Sequence, residues 1–161
     1  MPFRAIDLII ALGLEPHPEG GYYRRIYTST LAVEPADGRP RRAALTTIYY
    51  LLVKGQVSAW HRVASDEAWH FLEGEPLEMF QADPELQQIG TTILGPYAEN
   101  INPVDVVPAG HWQAARPAGA FALVACTVGP GFDYSDFELM RDHPERAAAL
   151  KRKHPEFGIF L

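Results

Sequence analysis

The sequence predicts an all-β fold with a short helix at each end. Three observations predict it. Helix-breaking residues are plentiful, 13 Gly and 14 Pro in 161 residues, and they accompany 7 Tyr, 8 Phe and 3 Trp. That mixture favours short strands joined by turns over a helix bundle. Short apolar and β-branched segments recur from Tyr22 to Val128, and the gaps between them carry turn signals. Strands at such even spacing indicate a sandwich or barrel rather than a parallel α/β sheet.

The elements follow in order. Ile6, Ile9, Ile10 and Gly13 fall at helical spacing, which predicts an amphipathic helix over about 4–13 with Gly13 ending it in a left-handed conformation. Asp7 interrupts this run and no small-residue cleavage pattern follows, so it reads as neither a signal peptide nor a membrane span. His17-Pro18-Glu19-Gly20-Gly21 is a shaped loop, and Tyr22–Thr28 a strand. Asp37-Gly38 marks a turn before the nearly continuous apolar strand Leu45–Val53, which Lys54-Gly55 breaks. Strands are then expected at Val57–Arg62, Glu67–Leu72, Leu77–Gln81, Gln88–Leu94, Val104–Val107, Trp112–Ala115 and Ala120–Val128. Pro144 suits the first turn of a helix reaching about Lys153, with Glu145 near its start and Lys151, Arg152 and Lys153 near its end, in keeping with the helix dipole. The length suits one domain over 1–161, with a β-barrel at about 20–128.

Composition narrows the function. A net charge of −6 weighs against a nucleic-acid partner, and no segment calls for a membrane. The lone Cys126 excludes an intrachain disulfide and fits a reducing, cytoplasmic setting. It lies in the apolar run Phe121–Val128, where a buried, inert thiol is expected.

The most informative stretch joins two of the predicted strands. One delivers His61 and the next delivers Glu67, and period-2 alternation lets both face one interior, with Trp69 and Phe71 on the Glu67 face. The spacing of Gly55, His61, Glu67 and Gly74 resembles the first motif of the cupin superfamily, and Pro108-Ala109-Gly110-His111-Trp112-Gln113 a reduced second motif. Within that superfamily the chain is similar to cupin family 5 from about Leu12 to Phe137. The resemblance rests on His17-Pro18-Glu19-Gly20-Gly21-Tyr22-Tyr23, Ile48-Tyr49-Tyr50-Leu51-Leu52, Ser65-Asp66-Glu67 with Trp69-His70-Phe71, and Val107-Pro108-Ala109-Gly110. It implies a double-stranded β-helix, or jelly-roll barrel, paired as a homodimer.

Metal-binding cupins supply three histidines and a glutamate. By the resemblance His61 and Glu67 match two of these, Val63 stands at the second histidine position and Gln113 at the third. No cofactor is therefore expected. A divalent metal, if bound, would fall to His61, Glu67 and Gln113, a weaker set than stable sites use.

Four readings follow. In the first, a metal-free pocket binds a small molecule, sugar-like or anionic. His61, Glu67 and Gln113 supply its polar groups among Tyr49, Trp69, Phe71 and Trp112, and Tyr23, Arg24, Arg25 and Arg62 stand ready for an anionic ligand. In the second, Gly20-Gly21-Tyr22-Tyr23 resembles the glycine–aromatic strand of deoxysugar epimerase cupins. That resemblance implies a metal-free epimerase or isomerase in which His61 is the base, Glu67 orients it, and Tyr49 or Tyr134 returns the proton. The third, a metal-dependent oxygenase, requires the missing histidines. The fourth is a structural or interaction dimer.

Overall fold

The computed structural model describes residues 3–161. The chain runs α1 (Phe3–Leu12), β1 (Glu15–Pro16), β2 (Tyr22–Thr28), β3 (Ala32–Val33), β4 (Arg42–Ala43), β5 (Thr46–Val53), β6 (Ser58–Arg62) and β7 (Asp66–Gly74). It continues through β8 (Leu77–Ala82), β9 (Ile89–Leu94), β10 (Val104–Val107), β11 (Trp112–Pro117), β12 (Phe121–Gly129), β13 (Glu138–Leu139) and α2 (Pro144–Lys153), and ends in a 3-10 segment, Pro155–Phe160. Among the described residues, one sheet has the order β1-β2-β5-β12-β7-β10 and the other β13-β6-β11-β8-β9, with antiparallel pairing throughout both; β3 and β4 form a separate ribbon. This is the predicted all-β jelly roll with flanking helices.

Alternation along the strands sorts the apolar side chains into layers. Tyr50, Leu52, Trp69, Met79, Ala115, Ala122 and Val124 meet between the two sheets. The intervening residues Leu51, Val53, Phe121 and Leu123 turn to the outer face of the first sheet, where α1 covers them with Ala5 and Leu8. On the outer face of the second sheet, Trp60, Phe80, Trp112 and Ala114 pack under Leu150 of α2 and Phe157 and Phe160 of the terminal segment. The central strands of both sheets are thus covered on both faces, and this explains their long apolar runs, whereas Leu72, Val104 and Val106 near one edge of the first sheet are exposed.

The helix ends obey local rules. Gly13 takes a φ of +60°, and the Leu14 and Gly13 amides donate to the Ile9 and Ile10 carbonyls at 2.9 and 3.2 Å, closing α1. Pro144 occupies the first turn of α2. The buried face of α1 differs from the one its spacing suggests. Ala5 and Leu8 are buried, whereas Ile6 and Ile10 are exposed. The helix is apolar nearly all round, so docking on Leu51 and Leu123, rather than periodicity, selects its face. No helix among the described residues is long and apolar enough to cross a membrane.

Candidate functional site

One end of the space between the sheets is unfilled. A narrow cavity, with about 30 Å³ of space open to a water-sized sphere, is walled by Ile48, Val63, Trp69, Val128, Phe132 and Phe137. His61 of β6 and Glu67 of β7 reach it from opposite sheets, and both are buried.

Two further ionisable groups arrive from the loop between β1 and β2. His17 and Glu19 line the cavity, and the glycine that follows Glu19 lets their loop approach β6 closely. Gly20 has a φ of +112°, and a Cβ there would sit 2.2 Å from the Val57 carbonyl oxygen. Only glycine lets the loop lie this flat against the strand. The loop is anchored where the Ala59 amide donates to the Glu19 carbonyl (2.9 Å) and Tyr50 Oη donates to the Gly20 carbonyl (2.8 Å).

Hydrogen-bond partners assign the roles of these groups. His61 Nδ1 lies 2.8 Å from the Ala59 carbonyl oxygen, which can only accept, so Nδ1 carries a hydrogen and Nε2 faces the site. Nε2 lies 3.3 Å from Glu19 Oε2, while Ser58 Oγ donates to Glu19 Oε1 at 2.8 Å. The same Oε2 is 3.4 Å from His17 Nδ1. Trp69 Nε1 donates to Gln113 Oε1 (2.9 Å), which turns the Gln113 amide nitrogen toward Glu67 Oε2 (2.6 Å).

Burial dominates the electrostatics. It pushes Glu67 up to about 7, although His61 and the Gln113 amide favour its carboxylate form. Burial also raises Glu19 and lowers His61 and His17. The Cys126 thiol on the wall is pushed well up for the same reason, the opposite of an activated nucleophile.

The mouth is aromatic. Tyr23 Oη and Tyr134 Oη are 3.2 Å apart, and that hydrogen bond, with burial, raises Tyr23 to about 12. Arg25 lies over the Phe132 ring at 5.6 Å. Phe132, Tyr134 and Phe137 belong to a strap crossing the mouth after β12. Asp136 holds the strap by pairing with Arg42 and with Arg39 (3.0 Å), and Arg39 also donates to Ser65 Oγ at 3.0 Å.

The structure gathers His61, Glu67, Trp69, Tyr23, Arg25 and Tyr134 around the cavity. Other expected residues fall elsewhere. Tyr49 faces the layer under α1, and its neighbour Tyr50 faces the cavity. Arg24 points outward and donates to the Leu12 carbonyl at the end of α1 (2.9 Å), one residue out of phase with Arg25. Phe71 shares the Glu67 face but packs against the interior core, away from the cavity wall. Gln113 stands behind the wall and acts through Glu67. Trp112 lies on the outer face of its sheet, where Arg62 stacks on it at 4.7 Å while pairing with Glu138. Glu67 makes no hydrogen bond to His61; the Ala59 carbonyl and Glu19 orient that ring instead. His17, Glu19, Tyr50, Phe132 and Phe137 were not anticipated as site residues. The double glycine after Glu19 was the available signal for two of them.

The donor set does not suit the expected metal ligands. The Gln113 amide oxygen accepts from Trp69, and only the amide nitrogen faces Glu67. Val63 offers nothing to a metal. Among the described residues no group of three His, Cys, Asp or Glu side chains is arranged to hold a metal ion.

Comparison with known proteins agrees with this architecture. The family model described as Cupin superfamily (DUF985), Cupin_5, matches residues 6–140, so the chain belongs to that family. A hypothetical protein from Leishmania major is 33% identical, with 96% of this chain and 94% of that one aligned at a TM-score of 0.82. A protein from Shewanella oneidensis is 35% identical over 95% of this chain and 91% of its own, at a TM-score of 0.80. An oxalate decarboxylase variant from Bacillus subtilis shares the fold at 12% identity and a TM-score of 0.58, covering 87% of this chain and 34% of that one. No match was found among curated proteins.

Proposed function

We propose that this protein binds a small polar molecule in the cavity between its sheets. The observation that carries this reading is the cavity itself. A narrow space between apolar walls holds four convergent ionisable side chains beneath an aromatic mouth. Ligand sites typically combine apolar walls with sparse, placed polar groups. Trp69 and Phe137 offer contact surface, the inner groups offer hydrogen bonds, and Arg25 at the mouth suits an anionic tail. Native mass spectrometry of protein purified without denaturation, together with a metabolite screen by NMR, tests the reading. A bound small molecule lost in His61→Ala supports it. An empty protein that takes up nothing from the screen overturns it.

A second reading has its own support. The imidazole of His61 beside a buried carboxyl, with a tyrosine pair at the mouth, fits proton transfer at a carbon next to a carbonyl. The base would take the proton while the C–H electron pair moves into an enolate, and a tyrosine would return a proton. Deuterium incorporation from heavy water into keto sugars is the test, and exchange unaffected by His61→Ala overturns the mechanism. The homodimer expected from the family resemblance has a candidate face in exposed Leu72, Val104 and Val106 on adjacent β7 and β10, which light scattering in solution would test.

A further inference from the structure

We propose that the strap segment Asp133–Phe137 is the gate of the cavity, with the Phe137 ring as its plug and the Asp136 carboxylate as its latch. The opening stands apart from the binding reading above; its use, the admission of a small molecule, rests on that reading. Space leads to it. The cavity leaves about 30 Å³ open to a water-sized sphere, room for about two waters. A metabolite of several heavy atoms needs more, so part of the wall must withdraw before one can reach His61 and Glu67. Most of the wall cannot. Cys126 and Val128 lie on β12, which pairs with β5 on one side and β7 on the other, so Ile48, Glu67 and Trp69 are locked into the same ladders. The His17–Glu19 loop is pinned by the Ala59 and Tyr50 hydrogen bonds to the Glu19 and Gly20 carbonyls. The Gly110 amide holds the Val63 carbonyl at 2.8 Å.

The strap is built otherwise. Its Ser135, Asp136 and Phe137 amides donate to Asp133 Oδ1 (2.9 Å), the Asp133 carbonyl (3.0 Å) and the Tyr134 carbonyl (3.2 Å), bonds that travel with the segment. Fixed points lie just outside it. The Phe132 amide donates to Thr46 Oγ1 (3.0 Å), and Glu138 and Leu139 pair with β6. Asp133–Phe137 can therefore swing as one turn between two anchors. On its inner side the Phe137 ring packs against His61 and His17, with centroids 5.6 and 6.0 Å away. On its outer side, side chains hold it down. Asp136 pairs with Arg42 and Arg39, and the Tyr134 hydroxyl meets that of Tyr23 at 3.2 Å. Arg42 lies on β4 and Arg39 in the turn before it, a ribbon that belongs to neither sheet. Arg39 also reaches Ser65, in the turn between β6 and β7, at 3.0 Å. A latch made of side chains releases without breaking a backbone ladder, and local openings of this kind cost far less than global unfolding.

Fluorine NMR tests the gate without any ligand. In protein labelled with 4-fluorophenylalanine each fluorine lies on its ring's flip axis, so ring flips leave the signal in place. Relaxation dispersion should show Phe137 exchanging with a minor open state, while Phe71 of the inner core and Phe157 of the outer layer stay quiet. Asp136→Asn should raise the open population about tenfold, and Arg39→Gln, which leaves Arg42 in place, should raise it less. A Phe137 signal without exchange, exchange shared equally with Phe71 and Phe157, or an open population that neither variant moves overturns the gate. The wild-type signal decides even if Asp136→Asn fails to fold. Passage is read with acrylamide, a neutral quencher of tryptophan fluorescence that is larger than two waters. Trp69 lines the cavity, whereas Trp60 and Trp112 lie in the outer layer. Quenching should rise in step with the open population, and the rise should vanish when Trp69→Phe is added. Quenching that does not follow the open population overturns the gate. A strap that opens to acrylamide in a protein that takes up no metabolite would sink the binding reading and spare the gate. A metabolite bound behind a strap that never opens would do the reverse.

Discussion

Trp60 and His61 are neighbours in β6 and occupy opposite environments. Trp60 faces outward into a dry layer with Phe80, Trp112, Phe157 and Phe160, its Nε1 donating to the Phe157 carbonyl at 3.3 Å. His61 faces inward, beside Glu19 and an open cavity. The outer layer fills its space with aromatic area, which stabilises the fold. The inner end leaves space unfilled and buries ionisable groups, each of which costs stability unless its partners compensate. One strand therefore carries stability on one face and chemistry on the other.

The contrast can be broken from either side. Trp60→Ala is expected to cost about 3–5 kcal/mol, read as a lowered denaturant midpoint. The surviving folded molecules should keep the cavity chemistry, seen as unchanged His61 imidazole resonances. A change in those resonances would show that the two faces are coupled.

Glu67→Gln tests the inner face through pH. The folded value of about 7 lies above the ordinary 4.5. As pH rises, the unfolded chain loses this proton first, so the group's contribution is fully present below about 4.5 and is lost as pH climbs through about 7. The loss is about 3 kcal/mol at most. His17 and His61 are lowered by burial and act with the opposite sign, their penalty fading as pH rises through the ordinary histidine value. Glu67→Gln removes the carboxyl together with its pull on His61, and the variant should gain in melting temperature relative to wild type between pH 5 and pH 8. A constant difference would mean that Glu67 titrates normally.

Asp136→Asn should loosen the strap while leaving both sheets intact. It removes the charge that Arg39 and Arg42 share and is expected to cost about 2 kcal/mol. Hydrogen exchange should quicken mainly over residues 131–139, and uniform quickening would place the clamp in the global core. The smallest effect concerns Cys126, which should react with thiol reagents no faster than the protein unfolds because burial holds the thiol protonated. Fast labelling of native protein would mean that the cavity admits reagents freely.

Strand positions were legible because turn residues and β-formers are local signals. Tyr22–Thr28 and Val104–Val107 match the structure residue for residue, and the other long strands differ by a few residues at their ends. The two-residue strands β1, β3, β4 and β13 are too short to show a period. His61 and Glu67 stood out through their spacing with Gly55 and Gly74. The pattern suggests Tyr49 and Arg24 for the site, but of these neighbouring pairs only Tyr50 and Arg25 line the cavity. Period-2 alternation shows that successive residues face opposite sides, but both faces of β5 are buried and apolar, so the inward parity cannot be read from polarity. Glu19 was visible only as part of a loop motif, because its contact with His61 spans 42 positions of chain.

By itself the sequence determined an acidic, turn-rich β protein of cupin type, with His61 and Glu67 on strands facing one interior and a helix stopped at Gly13. Those features arise from local backbone preferences and short spacings. Only the tertiary structure decided which parity faces the cavity, that Glu19 rather than Glu67 meets His61, and that a strap held through Asp136 crosses the mouth. Each of these depends on which distant segments pack together, and packing between covered sheets is a long-range choice that local preference does not encode.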